Sequence, residues 1–200
     1  MRGKWIATIM LTGAFIGSAA AAQMPGGTNG DSFLSAVRES DGNKAISLIQ
    51  GNGSTVVNYR GAKGETALNI ATRRRDMTWV GYIIGAGADP NAGDDRGETP
   101  LIIAARLGWS EGASTLLKTG ARVDLANKLG ETPLIVAVQQ RQPALVKLFL
   151  EEGANPDKAD RAAGYSARDY AKRDGRAGDL TRLIETIKPS RKIISGPVFK

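Results

Sequence analysis

The stretch Gly97-Glu98-Thr99-Pro100-Leu101 decides the fold, because nearly the same five residues occur three times at a fixed spacing. The other copies are Gly64-Glu65-Thr66-Ala67-Leu68 and Gly130-Glu131-Thr132-Pro133-Leu134, which gives a period of 33 residues. A period of this length is typical of stacked units that bury their apolar faces only against their neighbours. The sequence therefore predicts an elongated array with an extended surface rather than one compact catalytic core.

Each copy carries the signals of a helix start. Thr99 occupies an N-cap position, where its hydroxyl can accept an unpaired backbone N–H, and Pro100 takes the first helical position, where no N–H is needed. Thr132 and Pro133 repeat this pattern. Glycines that suit left-handed C-cap positions follow later in each unit: Gly87, Gly120 and Gly153. Each unit is predicted to be a short helix, a longer antiparallel helix and a loop that leads into the next unit.

The five-residue pattern and its period resemble the ankyrin repeat, whose family pattern is a T-P-L-H-x-A helix start followed by G-A-x-x-N. The resemblance implies an all-α ankyrin-repeat solenoid of about five helix-turn-helix units, two of them capping units, joined by β-turn or hairpin-like loops. The expected array spans residues 31–187, with units at residues 31–60, 61–93, 94–126, 127–160 and 161–187.

One departure from the family pattern concerns its frequent histidine, which is replaced here by Asn69, Ile102 and Ile135. The polar tie that this histidine makes in the family is therefore expected to be absent, with apolar packing in its place.

The first 22 residues are predicted to be a secretory signal peptide. Arg2 and Lys4 give a basic start, residues 6–16 form an apolar stretch, and Ala20-Ala21-Ala22 is a small-residue cleavage site. An uncleaved membrane anchor is the alternative, because residues 5–22 carry no charge over nearly a spanning length. Cleavage after Ala22 and a location in a bacterial periplasm are expected, with secretion as the alternative.

Segments of different composition flank the expected array. Residues 23–30 are rich in glycine and are predicted to be a flexible linker, and residues 188–200 form a basic tail. The net charge of +7 is concentrated at the two ends, because residues 23–187 contain 21 basic and 20 acidic residues. A nearly neutral body argues against nucleic-acid binding, which needs a continuous basic face.

The residue types needed for most catalysis are missing. The chain has no histidine and no cysteine, which removes the commonest general base, the thiol nucleophile, disulfides and thiolate metal ligands. The acidic residues Asp89, Asp94, Asp95 and Glu98 lack the spacing of a calcium loop and are interpreted as turn formers. We therefore expect no enzyme activity, no cofactor and no metal site.

Arginines recur at equivalent places in successive units. Arg73 and Arg106 fall near the end of the first helix of their units, and Arg75 and Arg141 are equivalent two residues further on. Because stacking repeats such a position about every 10 Å, these side chains are predicted to form a ladder that binds a partner's carboxylates. Solvated helix ends, where cations favour the helix dipole, are the alternative. The remaining candidate partner-binding residues are Arg74 and the loop-tip residues Arg96 and Lys128.

Two tryptophans are assigned opposite roles. Trp109 follows Gly108 at the turn between two helices, and an exposed tryptophan beside Arg106 is predicted to be an apolar anchor for the partner. Packing of Trp109 onto the repeats is the alternative. Trp79 falls on an expected core position and is predicted to fill the space that Gly112 leaves in the next unit.

The sequence thus predicts an exported, non-enzymatic protein that binds another protein with an acidic surface through its loop tips and first-helix face. It predicts no binding to nucleic acid, contributes no signal for a particular oligomeric state, and predicts at most a weak membrane contact. The alternative function is a membrane- or envelope-associated scaffold, held by the basic tail or by an uncleaved leader.

Overall fold

The computed structural model describes residues 28–175 and 178–187, and within these ranges the chain forms eleven α-helices and no β-strand. The helices are α1 (Asn29–Glu39), α2 (Gly42–Asn52), α3 (Ser54–Val57), α4 (Ala67–Arg73), α5 (Met77–Gly85), α6 (Pro100–Leu107), α7 (Ser110–Lys118), α8 (Pro133–Gln139), α9 (Pro143–Glu151), α10 (Ala167–Arg173) and α11 (Gly178–Thr186). The predicted all-α repeat array is confirmed.

The helices pair within units and stack between units. α1 packs on α2, α4 on α5, α6 on α7, α8 on α9, and α10 on α11. The first helices of successive units, α1, α4, α6, α8 and α10, also pack against one another in chain order. These contacts define five helix pairs in a row.

The threonines of the repeated pattern cap the first helices. Each hydroxyl accepts the backbone N–H of the residue three positions further on, at 3.2–3.3 Å: Thr66, Thr99 and Thr132. Pro100 and Pro133 occupy the first turn of α6 and α8. Loss of such a cap costs about 1 kcal/mol, so the repeated pattern sets where each unit begins.

The core follows the row of first helices. Residues 100–105 of α6 and 133–138 of α8 are all buried, because each of these helices lies between two neighbouring first helices and its own second helix. Burying one leucine or isoleucine side chain contributes about 1.5–3 kcal/mol. The apolar contacts of these buried residues, repeated from unit to unit, therefore stabilise the stacking of the array.

The polar tie expected to be missing is present in one unit. Asn69 is fully buried, and its side-chain amide donates to the carbonyl of Glu98 in the next unit at 3.3 Å. The prediction was wrong at this position, because an asparagine can supply the donor that the histidine would have supplied. Ile102 and Ile135 are fully buried apolar residues, as expected.

The loops that connect the units form a second stacked row. Within a loop, the backbone N–H of Asp94 donates to the carbonyl of Glu98 at 3.2 Å. Between loops, the N–H of Lys128 donates to the carbonyl of Arg96 at 2.9 Å. Equivalent bonds recur in the other loops, so the bonds alternate within and between loops as in a sheet. Hydrogen-bonded neighbouring segments lie about 4.8 Å apart, so one loop with two such segments occupies about 10 Å. This is also the distance between packed helices, so the loops and the helices stack with the same repeat.

The glycine of the repeated pattern is required by this close approach. Gly97 and Gly130 have φ of 76° and 84°, a region that favours glycine. A Cβ on Gly130 would lie 2.5 Å from the backbone nitrogen of Arg161, and one on Gly97 would lie 3.0 Å from that of Lys128. The pattern therefore begins with glycine because the next loop passes directly over it.

Two local differences from the sequence prediction lie in the first unit. Residues 29 and 30, assigned to the linker, begin α1, because Thr28 and Asp31 form a capping box there. Gly30 also lies so close to Tyr59 that a Cβ would be 2.1 Å from its ring. Residues 51–54, whose two glycines favour a loop, instead contain the end of α2 and the start of α3.

The predicted leader and tail fall on residues 1–27 and 188–200, which lie outside the described residues. Within the ranges that are described, no helix has both the length and the apolar composition needed to span a membrane.

Candidate functional site

A groove of about 730 Å³ lies between the loop tips and the first helices near the middle of the array. Ile103 and Leu107 of α6 give it an apolar floor, and Arg96, Lys128 and Leu129 of two successive loops form its rim. We call this feature the loop–helix groove.

Arg73 borders the groove but is engaged by carboxylates of its own chain. Its guanidinium lies 2.6 Å from Glu65 in the same unit and 3.0 Å from Asp94 in the next loop. The Asp94 side chain is only 7% exposed. Arg73 therefore links two units and does not present an unpaired cation to a partner.

Arg106 repeats this arrangement one unit later. It forms a bidentate pair with Glu98, at 2.8 and 3.2 Å, and lies 3.6 Å from Glu131 in the next unit. Hydrogen bonding to Glu98 raises the pKa of Arg106 even though partial burial acts in the opposite direction. A planar guanidinium suits such bidentate binding of a carboxylate.

Arg74 and Arg75 bind carbonyl groups of neighbouring units. Arg74 donates to the carbonyls of Val37 and Arg38 at 2.7 and 2.8 Å. Arg75 donates to the carbonyl of Leu107 at the end of α6. Both side chains therefore satisfy carbonyls at helix ends, which otherwise lack intrahelical partners.

Arg141 binds Asp174 of the last unit through two contacts, at 2.6 and 3.0 Å. Arg75 and Arg141 both have positive φ, of 54° and 52°, at the position where Gly108 has 66°. The predicted equivalence of these arginines is therefore visible in the backbone. Both side chains join units of this chain, and their predicted role in partner binding stays a prediction.

Trp109 is buried, with 9% of its surface exposed, so the expectation of an exposed anchor was wrong. Its ring lies against Gly112, three residues further on, where a Cβ would be 2.2 Å from the ring. Trp79 is only partly buried and packs edge-to-face on Tyr82, with ring centroids 5.9 Å apart. The space at Gly112 is thus filled by Trp109, and not by Trp79 as predicted.

The two remaining candidates, Arg96 and Lys128, lie at the loop tips beside Leu129. The side chain of Arg96 is 77% exposed, Lys128 is exposed, and Leu129 is 56% exposed. Arg161 joins them, because its backbone N–H donates to the carbonyl of Leu129 at 2.8 Å. Sequence reasoning missed Arg161 because the last loop is one residue longer and shifts the alignment.

The acidic residue Asp94 forms the turn, as predicted. One oxygen of its carboxylate accepts the backbone N–H groups of Arg96 and Glu98 at 2.9 and 3.0 Å. Burial alone would raise the pKa of Asp94, but these bonds and the charges of Arg96 and Arg73 hold it below the ordinary value. In the next loop Asn127 accepts the equivalent pair of N–H groups.

Comparison with known families agrees with this geometry. The family model described as ankyrin repeats (3 copies) matches residues 68–160, from α4 to the last connecting loop. No curated protein matches the chain with significant similarity. Ankyrin repeats generally mediate protein–protein interactions and are typically non-enzymatic. The matched residues contain the caps Thr99 and Thr132, the paired helices and the stacked loops, and this part of the chain is an array of ankyrin repeats.

Proposed function

We propose that the protein is a non-enzymatic module of the cell envelope that holds a partner protein in the loop–helix groove. The observation that carries the proposal is the position of Leu129. At 56% exposure it is the most exposed large apolar side chain among the described residues, and it stands on the rim of the groove. An apolar side chain at the edge of a concave site is a common anchor for a protein partner.

The frame around the groove supports a binding function. Arg73 and Arg106 fix its border through ion pairs within the chain, and backbone hydrogen bonds join its loops. A surface that is already ordered loses less conformational entropy on binding than a mobile one. The groove is therefore suited to rigid-surface recognition, with binding residues at the tips and structural residues beneath them.

The envelope location is supported by residues 1–22, whose composition fits a secretory signal peptide. N-terminal sequencing of the native protein from a fractionated cell tests this location. A mature chain beginning at Gln23 in the periplasmic or secreted fraction is the expected result. A full-length chain that resists carbonate extraction would instead favour the membrane-held scaffold.

Capture of a partner tests the binding function. The tagged protein, produced in its own cell, would be purified under mild conditions as wild type, as Leu129→Arg and as Tyr82→Arg. Tyr82 is the matched control because it is an exposed apolar residue, 38% exposed, on the second helix α5. The expected result is a protein retained by the wild type and by Tyr82→Arg but lost from Leu129→Arg. Equal retention by all three would contradict binding in the groove.

A further inference from the structure

Three cations stand at successive places along the loop tips around Leu129. Arg96 and Lys128 are neighbours through the bond from the Lys128 N–H to the Arg96 carbonyl, and Arg161 is held beside Leu129 in the same way. All three side chains are exposed. We call Arg96, Lys128, Leu129 and Arg161 the basic tip.

The acids nearby neutralise the basic tip only in part. Glu98 and Glu131 are 8% and 15% exposed, and both lie against Arg106. Arg96 approaches Asp94 only to 3.8 Å, and no ion pair joins Lys128 or Arg161 to another described residue. Like charges on neighbouring extended segments repel each other, as they do in a sheet. A bound carboxylate would relieve this repulsion, so the arrangement of cations favours binding of an anionic group.

Asp95 marks one end of the basic tip. Its side chain is 65% exposed and lies 3.8 Å from Arg60, on the side of the first complete units. Lys63 of the preceding loop is also exposed, but Asp95, whose N–H donates to the Lys63 carbonyl, separates it from Arg96. The uninterrupted run of cations therefore begins at Arg96 and runs toward the last unit, and Arg96, Lys128 and Leu129 of the basic tip lie on the rim of the loop–helix groove.

The shape of the site distinguishes a protein segment from a lipid surface. Ile103 and Leu107 of α6 line a groove of about 730 Å³ whose rim carries the cations Arg96 and Lys128. A side chain that protrudes from a peptide can enter such a groove, whereas a flat array of headgroups contacts only its rim. Only a peptide that carries both acidic and apolar side chains can bind the cations and fill the apolar part of the groove at the same time.

The spacing of the cations suggests the pattern of the ligand. Hydrogen-bonded neighbouring loop segments lie about 4.8 Å apart. Along the row of loops, Arg96 and Lys128 are therefore about 5 Å apart, and Arg161 is about 10 Å beyond Lys128. An extended peptide advances about 3.3 Å per residue. Along this row Leu129 lies about 5 Å from both Lys128 and Arg161 and about 10 Å from Arg96. Acidic residues one or two positions to either side of an apolar residue, and one about three positions away on the Arg96 side, would therefore meet the cations while that residue meets Leu129.

We propose that the basic tip selects a partner segment in which acidic residues flank a large apolar side chain, with the carboxylates on Arg96, Lys128 and Arg161 and the apolar group against Leu129. This inference rests on the proposed binding function of the groove and adds the chemistry of its partner. Since the cations are exposed, the affinity falls as the ionic strength rises and shortens the screening length from about 10 Å at 0.1 M.

The test measures binding of labelled synthetic peptides to the purified protein by fluorescence anisotropy. The probe peptide carries a leucine with a glutamate about two positions to either side and a third glutamate about three positions away on one side. Comparison peptides replace the glutamates by glutamine, replace them by lysine, or replace the leucine by glycine. Vesicles of phosphatidylcholine and phosphatidylglycerol provide an anionic surface without a peptide.

The protein variants are Arg96→Glu with Lys128→Glu, and a control with Lys44→Glu and Lys118→Glu. The control makes the same change in net charge on exposed residues of the second helices α2 and α7. We expect the acidic peptide with leucine to bind the wild type and the control equally. Its affinity should be weaker by about tenfold or more for the glutamine peptide and for the tip variant. The tip variant should bind the lysine peptide instead.

The inference is overturned if the glutamine peptide binds as well as the glutamate peptide, if the control weakens binding as much as the tip variant, if only the vesicles bind, or if no peptide binds. Failure of the inference is separable from failure of the proposed function. A natural partner that survives Arg96→Glu with Lys128→Glu, but is lost from Leu129→Arg, would leave binding in the groove intact and remove its preference for acids.

Discussion

The indole ring of Trp109 packs directly against Gly112, so closely that a Cβ placed on Gly112 would lie 2.2 Å from Cε3 of Trp109. Glycine inside a helix costs about 1 kcal/mol relative to alanine, so Gly112 on its own would weaken α7. The structure gives this cost a reason, because the missing side chain lets Trp109 fold back onto α7 and leaves only 9% of its surface exposed. The tryptophan predicted to be an exposed anchor and the glycine that disfavours the helix are thus the two sides of one buried contact.

Gly112→Ala is expected to lower the free energy of unfolding. The gain in helix propensity is about 1 kcal/mol, whereas forcing extra volume into a packed site costs about 1–3 kcal/mol. A contact of 2.2 Å with an indole ring lies at the severe end of that range. Urea denaturation followed by circular dichroism measures the difference. In a Trp109→Ala background the same substitution should become stabilising, and a destabilisation that persists there would contradict the contact.

Arg106→Glu is expected to destabilise the array by about 1–3 kcal/mol, after allowance for the partial exposure of the side chain. The new carboxylate would face Glu98 and Glu131, which Arg106 now contacts. Lys118→Glu, on an exposed part of α7, is the control and should leave the melting temperature nearly unchanged. If Arg106→Glu weakened partner capture at an unchanged melting temperature, Arg106 would be a binding residue and its structural assignment would be wrong.

Asp124→Asn is expected to stabilise the array by about 0.5–1.5 kcal/mol. At the equivalent positions, Asn58 and Asn91 donate to the carbonyls of Gly87 and Gly120 at 2.9 and 3.1 Å. A carboxylate at position 124 accepts the N–H of Asn155 but cannot donate to a carbonyl. An asparagine would keep the first contact and add the second. Thermal denaturation at neutral pH checks this stabilisation, and a lower melting temperature for Asp124→Asn than for the wild type would contradict the prediction.

The stability should be insensitive to pH between about 5 and 8 and should decrease below about pH 4. The chain has no histidine to titrate in the upper range. For Asp94, burial raises the pKa, but hydrogen bonds from backbone N–H groups and the nearby arginines outweigh it, so the folded-state pKa lies below the ordinary value. The unfolded state then binds more protons as the pH falls, and the stabilisation present above the ordinary pKa is lost.

Asp94→Asn isolates this contribution. The amide oxygen should keep the turn, since Asn127 does so in the next loop, while the ion pair with Arg73 is lost. The variant should therefore be less stable at pH 7 and show a shallower decrease in acid, measured by denaturant titration at several pH values. Asp95→Asn, on the exposed side of the same loop, is the control. An acid profile identical to that of the wild type would contradict the role of Asp94.

The units were predictable because their signals are local. Thr99, Pro100 and Gly97 each reflect a requirement of their own position: a cap, a first helical residue and a positive φ. One ion pair was also within reach of the sequence, since Glu98 and Arg106 lie eight residues apart in one unit. Equivalent spacing in the previous unit, between Glu65 and Arg73, repeats the signal.

The roles of the side chains at the surface were harder to predict because their partners come from neighbouring units. Arg73 meets Asp94 and Arg141 meets Asp174, and those contacts depend on how one unit lies on the next. The direction of Trp109 depends on a space at Gly112 that periodicity alone does not reveal. Arg161 escaped notice because a single extra residue in its loop breaks the register of the repeat.

Site-specific photocrosslinking in the living cell tests the central claim most directly. A photoreactive amino acid would replace Leu129 at the groove or Tyr82 on the opposite helix layer, one position at a time, in the full-length protein. We predict a discrete adduct with a second protein from position 129, lost when Arg96→Glu and Lys128→Glu are added, and no such adduct from position 82. An adduct from position 82 alone, or no protein adduct from position 129, would contradict recognition in the loop–helix groove.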